Sequence, residues 1–413
     1  MRILQLTNKV PFPPKDGGSI ATLNLSKSFA LLGCEVTILA INTSKHRVDI
    51  VAYPFRENDN KTKPSPLSTV HLLGVDVQTT INPVAGLANL FFSRLPYNAV
   101  RFISNHYKAV LTNLLRTSTF DVIQLEGLYL APYIPLIRKH SNALIAMRSH
   151  NIEHEIWQRL TQRNAGLKQI YLNILTRRIK EMEVNSLKAY DLLVAITRRD
   201  ANILTDLGFN GPVHVSPSGI NINELNQLDD QNVEYPSLFH LGALDWSPNQ
   251  EGLLWFLTHC WAKINQRYPL LRFYIAGRNA PNWFINKLKQ PNVVYCGEIS
   301  DASSFIRAKA IMIVPLFSGS GMRIKIIEGM AYKKAIVTTT LGAEGIDCTD
   351  NVNILIADTP ENFVQQIEKL LQNEALVKNI GDEAYNFIVK NYDNMKIAQS
   401  LLEFFNENIG VKA

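Results

Sequence analysis

Cysteine is scarce in this sequence of 413 residues, and its spacing does not suggest a metal site. The four cysteines, Cys34, Cys260, Cys296 and Cys348, are scattered, and no two of them stand at the spacing of metal ligands. We therefore expect a reducing compartment, four thiols that behave as small buried hydrophobic groups, and no bound metal ion.

Long hydrophobic runs and a strong excess of charge are also missing. No stretch approaches 18 consecutive apolar residues, so we expect no segment that spans a bilayer. The first eight residues predict a short strand. Their apolar run is too brief for the hydrophobic region of a signal peptide. The net charge of +6 is mild for this length and favours an anionic ligand or a membrane surface over nucleic acid. These features predict a cytoplasmic protein, and peripheral contact with the inner face of the membrane stays open.

The glycine-rich fingerprint of nicotinamide-dependent enzymes is absent as well. The segment between the first two predicted strands has no Gly-x-Gly-x-x-Gly turn, which argues against a dinucleotide-binding fold. It carries instead the pair Gly17 and Gly18, whose backbone N–H groups could approach a phosphate or a sugar. An ordinary turn explains the pair equally well, so both interpretations stay open.

The length of the chain predicts more than one domain, because 413 residues exceed what one ordinary core accommodates. A polar run at 220–236 interrupts the apolar pattern and predicts a linker. We expect an N-terminal domain over 1–219 and a C-terminal domain over 237–392. The last segment, 393–413, is expected to be a helix that returns to the first domain.

Apolar runs alternate with helical patterns on both sides of the linker. This alternation predicts an α/β fold class, with two Rossmann-like doubly wound parallel-sheet domains facing across a cleft. Strands are expected at 1–8, 35–41, 48–55, 70–77, 120–125, 144–148, 192–196, 213–215, 237–243, 271–276, 292–296, 310–316, 335–340 and 352–357. Helical segments are expected at 20–32, 90–117, 157–190, 249–266, 281–290, 301–309, 322–333, 360–373 and 374–408.

The most informative stretch runs from Pro315 to Met330. It follows an apolar run that is typical of a buried parallel strand, and it contains Gly319 and Gly321 in a tight turn. A helical repeat of apolar residues then begins at Met322. In an open α/β sheet, this order of strand, glycine-rich turn and helix places backbone N–H groups and a helix dipole where anions bind.

Two cations fall in the expected first turn of that helix. Arg323 and Lys325 each lie where the helix dipole disfavours positive charge, by roughly 0.3–1 kcal/mol. Their presence there favours an anion in front of the helix, although an ordinary solvated helix face remains the alternative. Glu328 follows one turn later, where its carboxylate could accept hydrogen bonds from sugar hydroxyl groups.

Polar residues follow the predicted strand at 144–148, and the carboxyl ends of parallel strands are where ligands bind in such sheets. This position favours His150 as a site residue over a structural histidine. His154 lies four residues further on and is expected on a helix face. No third ligand stands at metal spacing, so these histidines do not predict a zinc site.

The helical segments at 90–117 and 157–190 are rich in Lys and Arg. The first contains no acidic residue, and the second carries seven basic residues against Glu181 and Glu183. The second segment could dock on anionic lipid, and the basic helices hint at a lipid-linked or membrane-proximal acceptor. Solvated helices that cover the sheet explain the same composition, and both interpretations stay open.

The ordered motifs of the second half resemble those of the GT-B glycosyltransferases, and among them glycosyltransferase family 4. The resemblance covers nearly the whole chain, and its motifs are 241–249, 276–278, 296–301, 315–330 and 343–346. The segment Arg148–Glu153 also resembles the histidine-bearing segment of a subgroup that makes bacterial surface polysaccharides.

This resemblance implies roles for individual residues. Glu328 would hold the ribose of the nucleotide, and His150 would contact the transferred sugar. Gly17 and Gly18 are implied in the donor site, near the donor diphosphate, or else near the acceptor. The other residues implied in the donor site are Gly242, Arg278, Gly297, Ile299, Gly319, Ser320 and Gly321. Arg323 and Lys325 are inferred from their position to neutralise the donor diphosphate, and the resemblance supports this role.

The sequence departs from the family pattern at two positions. The first Glu of the family's Glu–seven residues–Glu motif is replaced by Ser320, which can form hydrogen bonds but carries no charge. The Arg and Lys that many members carry after the first strand of the second domain are missing from Asp245–Gly252. Arg323 and Lys325 could supply the same charges, so the departures bear more on the donor sugar than on the reaction.

The reaction implied is retaining transfer of a sugar from a nucleotide diphosphate sugar to a glycan or a lipid-linked acceptor, without a metal or another cofactor. Three alternatives stay open. They are a nucleotide-sugar 2-epimerase of the same fold, a non-catalytic subunit that binds nucleotide-sugar or glycan, and a Rossmann dehydrogenase.

Overall fold

A computed structural model describes residues 1–14, 16–44, 47–49, 70–222, 232–319 and 321–410. The chain divides into two compact units. Unit 1 comprises Met1–Ser218 together with the segment from Asn394 on, and unit 2 comprises Gly219–Asp393. Part of the expected strand at 48–55 lies outside the described residues, as does Ser320.

Unit 1 is built around a parallel sheet of seven strands in the order β3-β2-β1-β4-β5-β6-β7. These strands are Arg2–Thr7 (β1), Glu35–Thr43 (β2), Val70–Val77 (β3), Val122–Glu126 (β4), Leu144–Ser149 (β5), Leu192–Ala195 (β6) and Val213–Val215 (β7). The chain adds strands outwards from β1 in both directions, which is the doubly wound arrangement.

Helices cover both faces of this sheet. They are Gly17–Leu31 (α1), Pro83–Phe92 (α2), Tyr97–Val100 (α3), Asn105–Thr117 (α4), Ile134–His140 (α5), Glu153–Gln162 (α6), Gly166–Ser186 (α7), Arg198–Asp206 (α8) and the C-terminal Asn394–Ile409 (α16). Alternate residues of a strand serve opposite faces: Ile3 belongs to the core under α1 and α16, whereas Leu4 belongs to the core on the other side. Phe405 of α16 lies 6.3 Å from Phe29 of α1, measured between ring centroids.

Unit 2 contains a parallel sheet of six strands in the order β10-β9-β8-β11-β12-β13. They are Glu234–Leu241 (β8), Phe273–Ala276 (β9), Val293–Gly297 (β10), Lys309–Val314 (β11), Ala335–Thr338 (β12) and Leu355–Ile356 (β13). The helices are Ser247–Phe256 (α9), Ala262–Arg267 (α10), Asn282–Lys287 (α11), Ala302–Arg307 (α12), Ile324–Ala331 (α13), Pro360–Leu371 (α14) and Glu374–Asn391 (α15).

The predicted fold class of two parallel-sheet Rossmann-like units is confirmed, but several element bounds needed correction. The helical segment predicted at 90–117 is three helices, and the first of them, α2, begins earlier, at Pro83. The segment predicted at 157–190 is interrupted between Gln162 and Gly166, where Gly166 has a φ of 65°. Such a positive φ suits glycine and breaks a helix.

The predicted linker at 220–236 is also too long at its C-terminal end, because β8 begins at Glu234. The register of β8 against β11 is irregular between Glu234 and Leu238, and Pro236 lies in this irregular part. A proline cannot donate a ladder hydrogen bond, so a break in register is where a strand accommodates it.

The lengths and the apolar character of the helices decide whether any of them could cross a membrane. Within the described ranges, no helix combines the length and the apolar character needed to cross a bilayer.

Candidate functional site

The turn between β11 and α13 has the geometry that its glycines predict. Gly319 has a φ of 99° and Gly321 a φ of 77°, both in the left-handed region that favours glycine. A Cβ atom on Gly319 would lie 2.9 Å from Cζ2 of Trp246, closer than such contacts normally come. The turn therefore requires glycine at 319 for two reasons, its backbone conformation and the ring packed against it.

Arg323 lies at the start of α13, not inside it. The helix begins at Ile324, two residues later than predicted, so Arg323 takes the N-cap position. Its side chain is only 4% exposed; it donates a hydrogen bond to the carbonyl of Gly321, and its guanidinium lies 5.8 Å from the ring centroid of Trp246. Arg323 is therefore held by the turn and the indole ring at the positive end of the helix dipole.

Lys325 is held near the ends of the central strands. Its ammonium donates a hydrogen bond of 2.6 Å to Oδ1 of Asn249 in α9. Burial and the neighbouring Arg323 guanidinium lower the pKa of Lys325 to about 7. A Cβ atom on Gly242 would lie 2.7 Å from this ammonium, so glycine at 242 leaves room for the lysine.

Glu328 lies one helical turn beyond Arg323 and is half-buried. Burial raises the pKa of its carboxyl to about 7, although the Lys325 ammonium acts in the opposite direction. The first turn of α13 carries no acidic residue, so the start of the helix combines two cations with the dipole. This arrangement can bind a polyanion, and it places a carboxyl within the next turn.

The other residues predicted for the donor site lie where the neighbouring strands end. Gly242 follows β8, Gly297 ends β10, and Gly277 follows β9 between them in the sheet. The amide of Gly242 donates to the carbonyl of Ala276 at 3.2 Å, and that of Gly277 donates to the carbonyl of Gly297 at 2.9 Å. Arg278 and Ile299 are half-buried in the loops that follow β9 and β10.

Unit 1 has its own cavity of about 210 Å³ at the carboxyl ends of β1, β4 and β5. It is lined by residues of four segments, namely Thr7–Lys9 with Pro11, Gly18 with Ser19 and Thr22, Glu126 with Gly127 and Tyr129, and His150 with Asn151 and Glu153. Gly18 thus lines the cavity, whereas Gly17 begins α1 as an exposed residue beside it. Asp16 caps this helix by accepting a hydrogen bond from the amide of Ser19 at 3.0 Å.

A buried carboxylate organises one wall of this cavity. Glu126, 4% exposed, lies 2.6 Å from Nε2 of His150 and 3.3 Å from Nη1 of Arg148 through its Oε2 atom. The same oxygen accepts from the hydroxyl of Thr22 at 3.2 Å, and Gln124 donates to the other oxygen. Burial alone would raise the pKa of Glu126, but Arg148 and His150 hold it at about 2.

A second carboxyl group, that of Glu153, also lines the cavity, but its pKa is raised and not lowered. Burial raises the pKa of Glu153 to about 7, and the neighbouring Glu183 adds to this effect. The phenol of Tyr129 donates to Oε2 of Glu153 at 2.9 Å, and Nδ1 of His154 lies 2.5 Å from Oε2 of Glu183. His154 therefore lies on α6, as predicted, and pairs with Glu183 of α7.

The structure brings the predicted residues together in two groups. Gly242, Gly319, Arg323 and Lys325 belong to the group in unit 2, and His150 and Gly18 belong to the cavity of unit 1. Sequence reasoning gave no role to the residues that hold these groups in place, which are Glu126, Arg148, Glu153, Trp246 and Asn249. A charged residue at the end of a buried strand was the available signal for Glu126 and Arg148.

Solved structures with a similar fold cover almost the whole chain. The chain superposes on a sucrose-phosphate synthase from Thermosynechococcus elongatus with a TM-score of 0.69 at 15% identity, covering 100% of both chains. It superposes on Anabaena HepE in complex with UDP with a TM-score of 0.66 at 13% identity, covering 98% of this chain and 100% of that one. With these neighbours, the two Rossmann-like units define the GT-B fold of glycosyltransferases.

Sequence comparisons add similarities to one family model and to individual proteins. Residues 235–373 match the family model for Glycosyl transferases group 1, which covers most of unit 2. A Klebsiella pneumoniae protein described as an uncharacterized 44.6 kDa protein in the cps region is 24% identical over 98% of this chain and 100% of its own length. An uncharacterized glycosyltransferase of Methanocaldococcus jannaschii is 29% identical over 25% of this chain and 30% of its own. Unit 2 is therefore similar to the group 1 glycosyltransferases over residues 235–373.

Proposed function

We propose that the protein is a retaining glycosyltransferase that moves a sugar from a nucleoside diphosphate sugar to a glycan or a lipid-linked acceptor. The observation that carries this proposal is the start of α13, where Arg323 and Lys325 are held at the positive end of the helix dipole without an acidic neighbour in the first turn. Two partly buried cations and a helix N-terminus suit a diphosphate.

In the proposed reaction, the bond between the anomeric carbon and the diphosphate oxygen breaks while negative charge grows on the leaving diphosphate. Arg323, Lys325 and the backbone N–H groups of the turn at Gly319 and Gly321 stabilise this charge, because they are already oriented before the reaction. Lys325, with a pKa of about 7, gains a full positive charge when the diphosphate is beside it. These cations replace a divalent metal ion in our proposal, so activity should persist in EDTA.

Glu328 is proposed to accept hydrogen bonds from the ribose hydroxyl groups. The other donor-binding residues in this proposal are Gly242, Arg278, Gly297, Ile299, Gly319, Ser320 and Gly321. Gly17 and Gly18, at the cavity of unit 1, are proposed to approach the donor diphosphate or the acceptor. UDP is the nucleotide in the HepE structure, which makes a uridine diphosphate sugar the first donor to test.

The cavity of unit 1 is proposed to serve the acceptor, with His150 contacting the transferred sugar. Glu126 orients the His150 ring through its contact with Nε2. In this front-face reaction the acceptor hydroxyl attacks from the side of the departing diphosphate and passes its proton to the leaving phosphate oxygen, so the configuration is retained without an enzymic nucleophile. The Klebsiella relative from a cps region supports a role in bacterial surface polysaccharide synthesis. Peripheral attachment at the inner membrane face is a further part of the proposal.

The proposal can be tested before the acceptor is known. Donor hydrolysis by the purified protein is followed by proton NMR with UDP-, GDP- and ADP-sugars, with and without EDTA. We expect one donor to release a sugar whose first-formed anomer keeps the donor configuration. Release of the opposite anomer would refute retention, and an altered sugar would indicate the 2-epimerase. No turnover with any donor, in the presence of bacterial membranes as acceptor source, would favour a non-catalytic subunit.

A further inference from the structure

Helix α2 of unit 1 exposes an unusual amount of apolar surface. Val84, Leu87, Phe91 and Phe92 are 77%, 59%, 75% and 90% exposed, and Ile81 just before the helix is 74% exposed. The ten residues of α2 include no charged side chain. Single exposed apolar residues are common, but a cluster of this kind marks a surface that contacts something apolar.

The helix is nevertheless anchored firmly to unit 1. Its buried residues are Gly86 and Asn89, and a Cβ atom on Gly86 would lie 3.6 Å from the ring of Tyr97. Arg178 of α7 donates to the carbonyl of Leu90 at 2.7 Å and to the carbonyl of Asn89 at 3.0 Å. The C-terminal end of α2 is therefore fixed by a guanidinium, and its apolar side is presented outwards.

Helix α7 extends the same surface. A Cβ atom on Gly86 would lie 3.8 Å from the hydroxyl of Tyr171, so Tyr171 and Arg178 both face α2. Leu167 and Ile174 lie one turn from Tyr171 on this side of α7, by helical periodicity, and are 86% and 39% exposed. Ile170 lies on the flank of that side and is 58% exposed. We call the set Ile81, Val84, Leu87, Phe91, Phe92, Leu167, Ile170 and Ile174 the α2–α7 surface.

The charges around this surface have one predominant sign. Residues 77–120 contain no Asp or Glu, while Arg94 lies two residues after the end of α2 and is exposed. Lys168 lies next to Leu167 and is exposed, and Arg177 pairs with Glu181 at 2.9 Å on the outer side of α7. An apolar surface with a basic border complements the interface of an anionic bilayer, where apolar side chains enter the acyl boundary and cations meet the headgroups.

We infer that the α2–α7 surface docks on the headgroup region of an anionic lipid bilayer. The occupant is a lipid surface, because the border is basic and the apolar side chains project from a short helix, about 15 Å long, that is fixed at its end. This inference locates the membrane contact of the proposed function, and it stands on the surface chemistry alone if the sugar-transfer reaction is different.

The test is co-sedimentation of the purified protein with vesicles of phosphatidylglycerol and phosphatidylethanolamine, compared with vesicles of phosphatidylcholine alone. The variant Phe91→Ser/Phe92→Ser removes two exposed rings, and Arg94→Glu/Lys168→Glu reverses the border charge. Leu270→Ser is the matched control, since Leu270 is 93% exposed in unit 2. Thermal stabilisation by UDP is measured for every variant to monitor folding and nucleotide binding.

We expect the wild-type protein and Leu270→Ser to bind the anionic vesicles, and each double variant to bind at least tenfold more weakly. Equal binding by the Phe91→Ser/Phe92→Ser variant would overturn the inference, as would failure of the wild-type protein to bind any vesicle. A dimer of the wild-type protein that becomes monomeric in this variant would also overturn it, because a second copy would then cover the surface. Loss of UDP stabilisation with vesicle binding intact would instead count against the proposed function alone.

Discussion

The buried carboxylate Glu126 gives a prediction whose size follows from its contacts. In Glu126→Gln the amide keeps the shape of the carboxyl but removes the charge that faces Arg148 and His150. The pKa of Glu126 is held at about 2, against an ordinary value of 4.5. A difference of this size corresponds to about 3 kcal/mol, at about 1.4 kcal/mol for each unit of pKa.

The sign of the pH dependence follows from the direction of this shift. A pKa that is lowered in the folded protein stabilises the fold fully above the unfolded value of 4.5. The contribution is lost progressively as the pH falls from there towards 2. At low pH the wild-type carboxyl is neutral like the amide of Glu126→Gln, so the two proteins should converge. We expect the wild-type protein to be more stable than Glu126→Gln by about 3 kcal/mol at pH 7. At pH 3 the difference in stability should be less than half of this, on the order of 1 kcal/mol.

The measurement is hydrogen–deuterium exchange on peptides that cover β4 and β5, because it reports the opening of this sheet alone. The matched control is Glu181→Gln, which breaks an exposed ion pair between Arg177 and Glu181. The side chain of Arg177 is 82% exposed and that of Glu181 is 52% exposed. That pair should contribute only about 0.3–0.5 kcal/mol. If wild type and Glu126→Gln differ in stability by less than about 1 kcal/mol at pH 7, or if their difference stays constant down to pH 3, the reasoning is refuted.

Three further predictions concern the start of α13. Arg323→Ala and Lys325→Ala should each lower kcat in the donor hydrolysis assay by roughly 10²–10³. The control variant Lys289→Ala, at an exposed position, should have no effect. Normal turnover in both Arg323→Ala and Lys325→Ala would contradict the proposed role of these residues at the diphosphate. Glu328→Gln should raise the donor KM by roughly 10–100-fold, because the variant loses a charge-assisted hydrogen bond to the donor. An unchanged KM would contradict the proposed contact between Glu328 and the ribose. Because the pKa of Lys325 is about 7, UDP binding at pH 8 should take up a proton, seen as a calorimetric enthalpy that varies with buffer ionisation. Lys325→Arg should abolish that variation, and its persistence would assign the proton to another group.

The overall fold was predictable because alternating patterns decide it locally. Buried parallel strands are apolar runs, and each is separated from the next by a segment with helical periodicity. The start of α13 was predicted for the same reason, since Gly319, Gly321 and the two cations are close in sequence. The exact first residue of the helix was not, and Arg323 proved to be its N-cap.

The network around Glu126 depends on a relationship that no local pattern contains. Glu126 and Arg148 are 22 positions apart and become neighbours because β4 and β5 pair in register. The register follows from packing both sheet faces, so the ion pair is visible only when the sheet is assembled. Trp246 likewise reaches Gly319 through the tertiary fold, across more than seventy residues.

The start of α2 was missed for a physical reason that also bears on its function. Asn82 caps the helix and Pro83 begins it, so the local start signals were present. The helix nevertheless lacks the one-sided apolar pattern by which covered surface helices are recognised, because its outward side is also apolar. The same property that obscured the helix in the sequence is the basis of the docking surface we propose.

The central claim is that α13 binds the diphosphate of a nucleotide-sugar donor. The most direct test is the thermal unfolding of the purified protein with UDP, GDP, ADP and CMP, with NAD and inorganic phosphate as controls. We expect one nucleoside diphosphate to stabilise the wild-type protein, by about 2.7 kcal/mol at a hundredfold excess over Kd, and to have little effect on Arg323→Ala. Equal stabilisation of wild type and Arg323→Ala, or none by any nucleotide, would contradict it.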